Sequence, residues 1–464
     1  MIQIDVLPDD VLLEIFDFCT STMVMRPYIG DKQEIDAWQT LVHVCRRWRF
    51  LVFGSPRRLN LQLYCTPKTP ARDTLDVWPA LPLIIQGDLS STDTTDNVIA
   101  ALGQRNRVCQ VFLGLNGWQS EEVLAPMHVS FPELTVLLLS LYGETVPIIP
   151  DSFLGGSAPR LQFLALNSIL IPGLPKLLLS ATQLVVLRLF DIPHSGYISP
   201  EAIVASLSVL SSLETLHLGF RSPQSRPDWG SRRPPPSKRS VIPALNFFFF
   251  KGVTEYLEEL VSRIDTPQLS KANITFFNQI DFHCPRLAQF INCTPALGGR
   301  DEAHVQFNQS FADVTLRHRA SPPYYGELML SIGISCQEQD WQVSSIEQVC
   351  NYLPPLSLVE NLYIEPGPYL ESELVWKDDA IENTLWLELL HPFITVKHLY
   401  LSKQFGPGIV ASLQELVGGR ITEVLPSLQN IFMEGLNPSG SFQENIEQLI
   451  ASRRLSDHPI IISV

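Results

Sequence analysis

The chain has 464 residues, with 33 Lys or Arg against 48 Asp or Glu and a formal net charge of −15. With 45% hydrophobic and 17% charged residues it is too apolar for a disordered chain, and its length allows about three domains of roughly 150 residues or one repeat array. The acidic balance excludes a general nucleic-acid or anionic-membrane binder, because both need a basic field.

Residues 1–60 predict helices. Pro8 suits a first helical turn, Asp9 and Asp10 suit the positive end of a helix dipole, and Val11, Leu12, Ile15, Phe16 and Cys19 follow at helical spacing. The start of the chain has no basic segment, and Asp5, Asp9 and Asp10 interrupt its apolar residues, so no signal peptide is expected. A polar, turn-rich stretch covers about 20–36. A second apolar periodicity then runs through Trp38, Leu41, Val42, Val44, Cys45 and Trp48 to a break at Gly54-Ser55-Pro56.

From about residue 57 the pattern becomes short apolar strands of the form L-x-x-L-x-L. They start at Val108, Leu134, Leu161, Leu184, Leu213, Leu245 and Leu269, and again at Val359, Val396 and Leu428. Steps between the first seven are 26, 27, 23, 29, 32 and 24 residues, and the last two are 37 and 32. A period in this range with this strand pattern marks an irregular leucine-rich-repeat solenoid, because a single repeat cannot bury its own apolar face. The fold class expected is therefore α/β: a short N-terminal helical element (1–56, with a loop insertion at about 20–36), then a solenoid over 57–464 with parallel strands on the concave side and helices and loops on the convex side. Segments 201–210, 252–264, 345–353 and 409–419 suit those helices. Weaker strands are placed at 57–63, 81–86, 304–308, 327–335 and 458–464, and the repeat signal fades over 291–330. A segment at 221–243 holds six Pro and six Lys or Arg against one Asp, and reads as an exposed basic loop of partly polyproline character.

Leu7-Pro8-Asp9-Asp10-Val11-Leu12-Leu13-Glu14-Ile15-Phe16, followed by Val44-Cys45-Arg46-Arg47-Trp48-Arg49, resembles both halves of an F-box, in order. Segments 249–278 and 376–440 resemble the leucine-rich-repeat-like region attached to many F-box proteins of mushroom-forming fungi. The resemblance implies a substrate-recognition adaptor of an SCF-type cullin–RING ubiquitin ligase, in which the F-box docks a Skp-type adaptor and the repeats hold a protein substrate. Carried over by motif position, Leu7, Pro8, Ile15, Phe16, Val44, Cys45 and Trp48 form or support the docking surface. Two departures stand out: the spacer from Phe16 to Val44 is longer than the family's, and Asp10 replaces a Glu. The alternative is a leucine-rich-repeat interaction scaffold outside any ligase, with the N-terminal helices serving as a cap.

Strand parity places Arg188, His217, Phe247, Phe249, Asn361, Tyr363, His398, Tyr400 and Asn430 on the open face as substrate-binding candidates. No enzyme activity is expected. GPGIVA at 406–411 is a lone dinucleotide-like fingerprint and reads as a strand-to-helix turn. Neither His283-Cys284 nor any other Cys/His set has metal-ligand spacing, and Glu121-Glu122 and Asp378-Asp379 read as solvated charges, so no metal or cofactor is expected. Eight scattered cysteines without CxxC, and no apolar run of membrane length, lead to an expectation of reduced thiols and a cytoplasmic or nuclear location, with no nucleic-acid or membrane partner.

Overall fold

Nine of the ten apolar motifs enter their strands in the same way; the tenth, at Val108, opens its strand directly. The first apolar residue of the motif lies two positions before the strand, inside a tight turn that closes from its N–H to the carbonyl three residues back. The bond runs from Leu134 to Phe131, Leu161 to Ala158, Leu184 to Ala181, Leu213 to Leu210, Leu245 to Ile242 and Leu269 to Thr266, and recurs at Val359, Val396 and Leu428. All nine of these side chains are at most 4% exposed. The turn thus drives one apolar side chain into the core before the extended segment begins, and the next two inward positions of the strand follow it there.

The structure is a computed structural model that describes residues 7–21, 37–56, 58–59, 61–76, 80–89, 95–117, 119–143, 148–170, 172–227, 238–279, 282–298, 300–318, 330–367, 381–416, 418–433 and 441–463. The chain divides into two units, 1–184 and 185–464.

The first unit opens with helices α1 (Asp9–Ser21), α2 (Ala37–Val44) and α3 (Arg46–Gly54). Five parallel strands follow in chain order: β1 (Leu63–Cys65), β2 (Leu83–Asp88), β3 (Val108–Asn116), β4 (Val136–Tyr142) and β5 (Phe163–Asn167). Helices α4 (Ala71–Thr74), α5 (Thr95–Leu102) and α6 (Ser120–Leu124) lie in the first three crossovers, and α7 (Leu174–Ser180) follows β5. Val111, Leu113, Leu115, Leu137, Leu139, Leu164 and Leu166 stack across the strands and, with Val98, Ala101 and Leu102 of α5, form the core.

Among the described residues the second unit has eleven strands in one sheet: β6 (Val186–Ile192), β7 (Thr215–Phe220), β9 (Phe247–Gly252), β11 (Lys271–Phe277), β12 (Glu302–Phe307), β13 (Ala312–Arg317), β14 (Leu330–Ser335), β15 (Asn361–Pro366), β16 (His398–Leu401), β17 (Asn430–Met433) and β18 (Ile461–Ser463). Two short strands, β8 (Ser240–Val241) and β10 (Ile264–Asp265), pair separately. Crossovers carry α8 (Pro200–Leu207), α9 (Thr254–Val261), α10 (Pro285–Asn292), α11 (Gln339–Tyr352), α12 (Asn383–Leu390), α13 (Gly406–Gln414) and α14 (Ser441–Leu455). Neighbouring helices are tied by a buried ion pair, Arg263 with Glu259 of α9, to which the more exposed Glu201 of α8 adds through Arg263, while Arg286 of α10 reaches the other Glu259 oxygen at 3.4 Å.

The expected all-parallel order fails where the repeat signal fades. The sheet order runs β11-β14-β13-β12-β15, and β13 is antiparallel to both of its neighbours. Only residues 308–311 join β12 to β13, too few for a parallel crossover, which needs a dozen or so. Asn308 builds the turn: its side-chain oxygen accepts from the Ser310 N–H at 3.0 Å, and its own N–H bonds the Phe311 carbonyl at 2.9 Å. The sheet nevertheless continues, because the inward parity is kept: Ala303, Val305 and Phe307 lie opposite Leu316, Val314 and Ala312, and the latter pair with Leu330, Ile332 and Ile334.

The GPGIVA segment forms the start of α13 directly after β16, with Pro407 in its first turn and Ile409 and Val410 buried. Most of the 20–36 insertion, the centre of the basic loop and Asp378-Asp379 lie outside the described residues. Among the described residues no helix is long and apolar enough to cross a membrane.

Candidate functional site

Two surfaces carry the sequence-predicted residues. The first is the N-terminal helical element. Cys45 breaks the chain between α2 and α3: its backbone is extended and its Sγ accepts from the Trp48 N–H at 3.4 Å, so the thiol acts as a helix cap. Arg47 then bonds the Leu7 carbonyl at 2.6 Å and Asp9 at 3.0 Å through Nε, which ties the start of α1 to α3. Trp38 of α2 donates to the Gln62 carbonyl at 3.0 Å, anchoring the helices to the segment before β1.

Helix α1 has two apolar faces. Leu12, Leu13 and Phe16 are buried, and Phe16 packs on Trp48 with ring centres 4.8 Å apart. Val11, Ile15 and Phe18, spaced four and three residues apart, form a second stripe that is 38%, 43% and 76% exposed. Val44 at the end of α2 and Phe50 of α3 are exposed as well. Of the motif residues, Ile15 and Val44 are therefore open surface, Phe16 is core, Trp48, Leu7 and Cys45 are half-buried, and Pro8 is exposed ahead of α1. Phe18, seven residues after Val11, and Phe50 add to the exposed apolar residues.

The second surface is the open face of the second unit. Register places Arg188, His217, Phe249 and Asn273 in one row, which continues through Ser331, Thr315, His304, Tyr363, Tyr400 and Phe432. Nearly all the open-face candidates are partly exposed; Phe247 and Phe249 alternate with the buried Phe248 and Phe250 as parity requires. Asn361 is the correction: it has the right parity but is only 3% exposed, a short side chain flanked in register by Glu302 and His398.

Aromatic rings dominate both ends of this face. His304, Tyr363, Tyr400 and Phe432 form a continuous stack with centre separations of 4.4, 4.2 and 4.7 Å. Around β6, β7 and β9, His217 stacks on Phe249 at 5.3 Å and meets Phe190 and Phe247 at 5.1 Å each. Burial, then the nearby Arg188 charge, lowers the His217 imidazole to about 4, so it is neutral at physiological pH. A cleft of about 310 Å³ lies beside Phe247, lined by Glu214, Thr215, Asn246 and Lys271.

Between the aromatic ends lies a polar seam made by the antiparallel insertion. Asp313 is 9% exposed; its Oδ2 accepts from Thr315 at 2.8 Å and from Ser331 at 3.5 Å. Burial pushes its carboxyl up to about 6. Gly333 faces Asp313 across the register, and a Cβ there would collide with the Phe311 ring. Glu365 accepts from His304 at 3.1 Å and Gln306 at 2.8 Å; burial raises its carboxyl, but these bonds and the His304 and Arg317 charges hold it below its ordinary value. Parity along β12 to β15 could have flagged these residues, but the depth of Asp313 depends on a strand pairing invisible in sequence.

No described group of three or more His, Cys, Asp or Glu is placed to hold a metal ion. His283 donates to or accepts from the Tyr352 hydroxyl at 2.9 Å, a structural contact, and Cys284 is buried. Burial raises the Cys65 and Cys109 thiols to about 11, far from a nucleophile's range.

The fold and these faces define a mixed α/β protein with a large, mostly parallel sheet, in which turn, strand and crossover recur. No family model and no curated protein matches the sequence. Among solved structures it is similar to the leucine-rich repeat-containing protein LegL7 from Legionella pneumophila, at 14% identity and TM-score 0.28, with 84% of this chain and 97% of that chain covered. It is also similar to the Rad7 and Elc1 complex in yeast, at 11% identity and TM-score 0.24, with 92% of this chain and 88% of that chain covered.

Proposed function

We propose that this chain is the substrate-recognition adaptor of an SCF-type cullin–RING ubiquitin ligase, without catalytic chemistry of its own. Its N-terminal helices dock a Skp-type adaptor, and the open face of the second unit binds a protein substrate. The observation that carries the reading is the second apolar stripe of α1. A helix that merely caps a repeat array needs one apolar face, and Leu12, Leu13 and Phe16 already supply it. Val11, Ile15 and Phe18, with Val44 beside them in the motif, leave apolar surface in water, as expected of a helix surface that a partner covers.

The test is co-purification of the full chain with a Skp-type adaptor, wild type against Ile15→Asp with Val44→Asp. Both side chains are exposed, so the double change leaves the fold intact; Trp48 is avoided because it packs on Phe16. Stable binding by the wild type and its loss in the variant are expected. Absence of binding by folded wild-type protein would hand the chain to the scaffold reading, in which the helices are only a cap.

A further inference from the structure

The open face of the second unit is electrically polar along a single register row. Lys251 of β9 stands at one end; Thr275 and Gly333 follow, both uncharged; Asp313, Gln306 and Glu365 stand at the other. The charged ends are similarly accessible, with side-chain exposures of 36% for Lys251 and 37% for Glu365. Outside this row the same face carries Arg188 of β6 and Lys271 of β11, and Glu302 of β12 is paired in register with Arg317 of β13, so the separation of charge belongs to the row itself. The described strands place no acid on this face from β7 to β11; Asp191 of β6 lies 3.8 Å from Lys251.

Five strand steps separate Lys251 from Glu365, about 24 Å at roughly 4.8 Å per step. An extended chain covers that distance in about seven residues. Aromatic edges flank the row at both ends, with Phe249 beside Lys251 and Tyr363 beside Glu365 in the adjacent row. A nucleic-acid strand is disfavoured, since its phosphates would cross the Asp313 and Glu365 carboxylates after leaving Lys251. Charge complementarity instead selects a zwitterionic polypeptide.

We propose that this face takes an extended protein segment lying across the strands, with an acidic side chain over Lys251 and a Lys or Arg about seven residues away over Glu365. Glu365 makes the contact. Asp313, buried beneath the adjoining row positions, adds negative field where water screens it least. This proposal rests on the reading of the open face as the substrate surface, and is independent of whether the N-terminal helices dock an adaptor.

The test uses full-length protein and two labelled nine-residue peptides of identical composition. One has two Asp at its first end, two Lys at its last and an uncharged centre with one Tyr; in the other the four charges alternate. Fluorescence anisotropy at low salt is expected to give about fivefold tighter binding of the segregated peptide, the upper range for exposed charge pairs, with the gap closing as salt rises. Lys251→Glu and Glu365→Lys should each erase the preference, and combining them should restore it, because the peptide then binds reversed. Glu365→Gln serves if Glu365→Lys shifts the thermal midpoint. Equal binding of the two peptides, no binding of either, or a double variant that stays as weak as the singles would overturn the proposal. The same variants should retain the Skp-type adaptor. Loss of adaptor binding by the wild type while peptide preference persists would remove the ligase reading and leave this one standing.

Discussion

Tyr363, Tyr400 and Phe432 sit in one register row of β15, β16 and β17, and successive rings lie 7° and 12° from parallel. At the other end of the same face, Phe190 meets His217 at 76° and Phe249 at 64°, and only His217 and Phe249 come near stacking, at 24°. The cause is backbone register. Pairing from β15 to β17 is unbroken, so side chains of like parity project side by side. Strand β6 instead carries a bulge between Leu189 and Ile192, with Asp191 at φ 46°, which turns Phe190 out of line and sets its ring edge-on. Equivalent aromatic content therefore yields a stacked ladder where the ladder of hydrogen bonds is regular and a tilted cluster where it slips.

The comparison can be pressed hardest on neighbouring residues of β9. Phe248→Ala, which empties a fully packed site, should cost about 3–5 kcal/mol in denaturant unfolding, whereas Phe249→Ala on the tilted cluster should cost about 1 kcal/mol. Equal costs would mean that the open face is as tightly packed as the core.

Next in size is the polar seam between the two halves. Asp313 has its folded carboxyl raised from 3.8 to about 6, so the fold binds an extra proton between those values. The stability this supplies is complete below about pH 4 and is lost as pH rises through about 6. Asp313→Asn should therefore raise stability at pH 7.5 by up to about 3 kcal/mol and flatten the dependence between pH 4 and 6, read as the difference between variant and wild-type melting curves. A variant less stable at every pH would mean that the carboxylate is net favourable.

The smallest effect belongs to the stack itself. Tyr400→Leu keeps apolar bulk but deletes both ring contacts, and should cost about 1 kcal/mol. A similar loss from Phe190→Leu would erase the distinction between stacked and tilted rings.

Much of the repeat architecture is legible in the sequence because each repeat declares itself locally: an apolar residue in a tight turn, then two more at alternating positions. Ten motif starts each precede a strand or open one, and the parity of the FFFF run correctly separates Phe248 and Phe250 from Phe247 and Phe249. What escaped was non-local. The order of β12, β13 and β14 in the sheet depends on which partner each finds, and alternation does not record that choice. Asn361 illustrates the same limit at one residue, since its exposure is decided by Glu302 and His398 from other strands. On the N-terminal helices the buried stripe and the exposed one are both visible as helical spacing, but which of them faces the protein is settled only by Trp48 and the packing around Phe16.

In an ordinary repeat array each module touches only its chain neighbours, so terminal modules can be removed one at a time. The antiparallel insertion forbids that here. The chain visits β12, beside β15, before it returns through β13 to β14, beside β11. A cut after residue 318 would leave β11 and β13 each without one of its two partners. The central strands are thus interlaced rather than modular, and β11 to β15 form one indivisible block from which shorter repeats extend on either side.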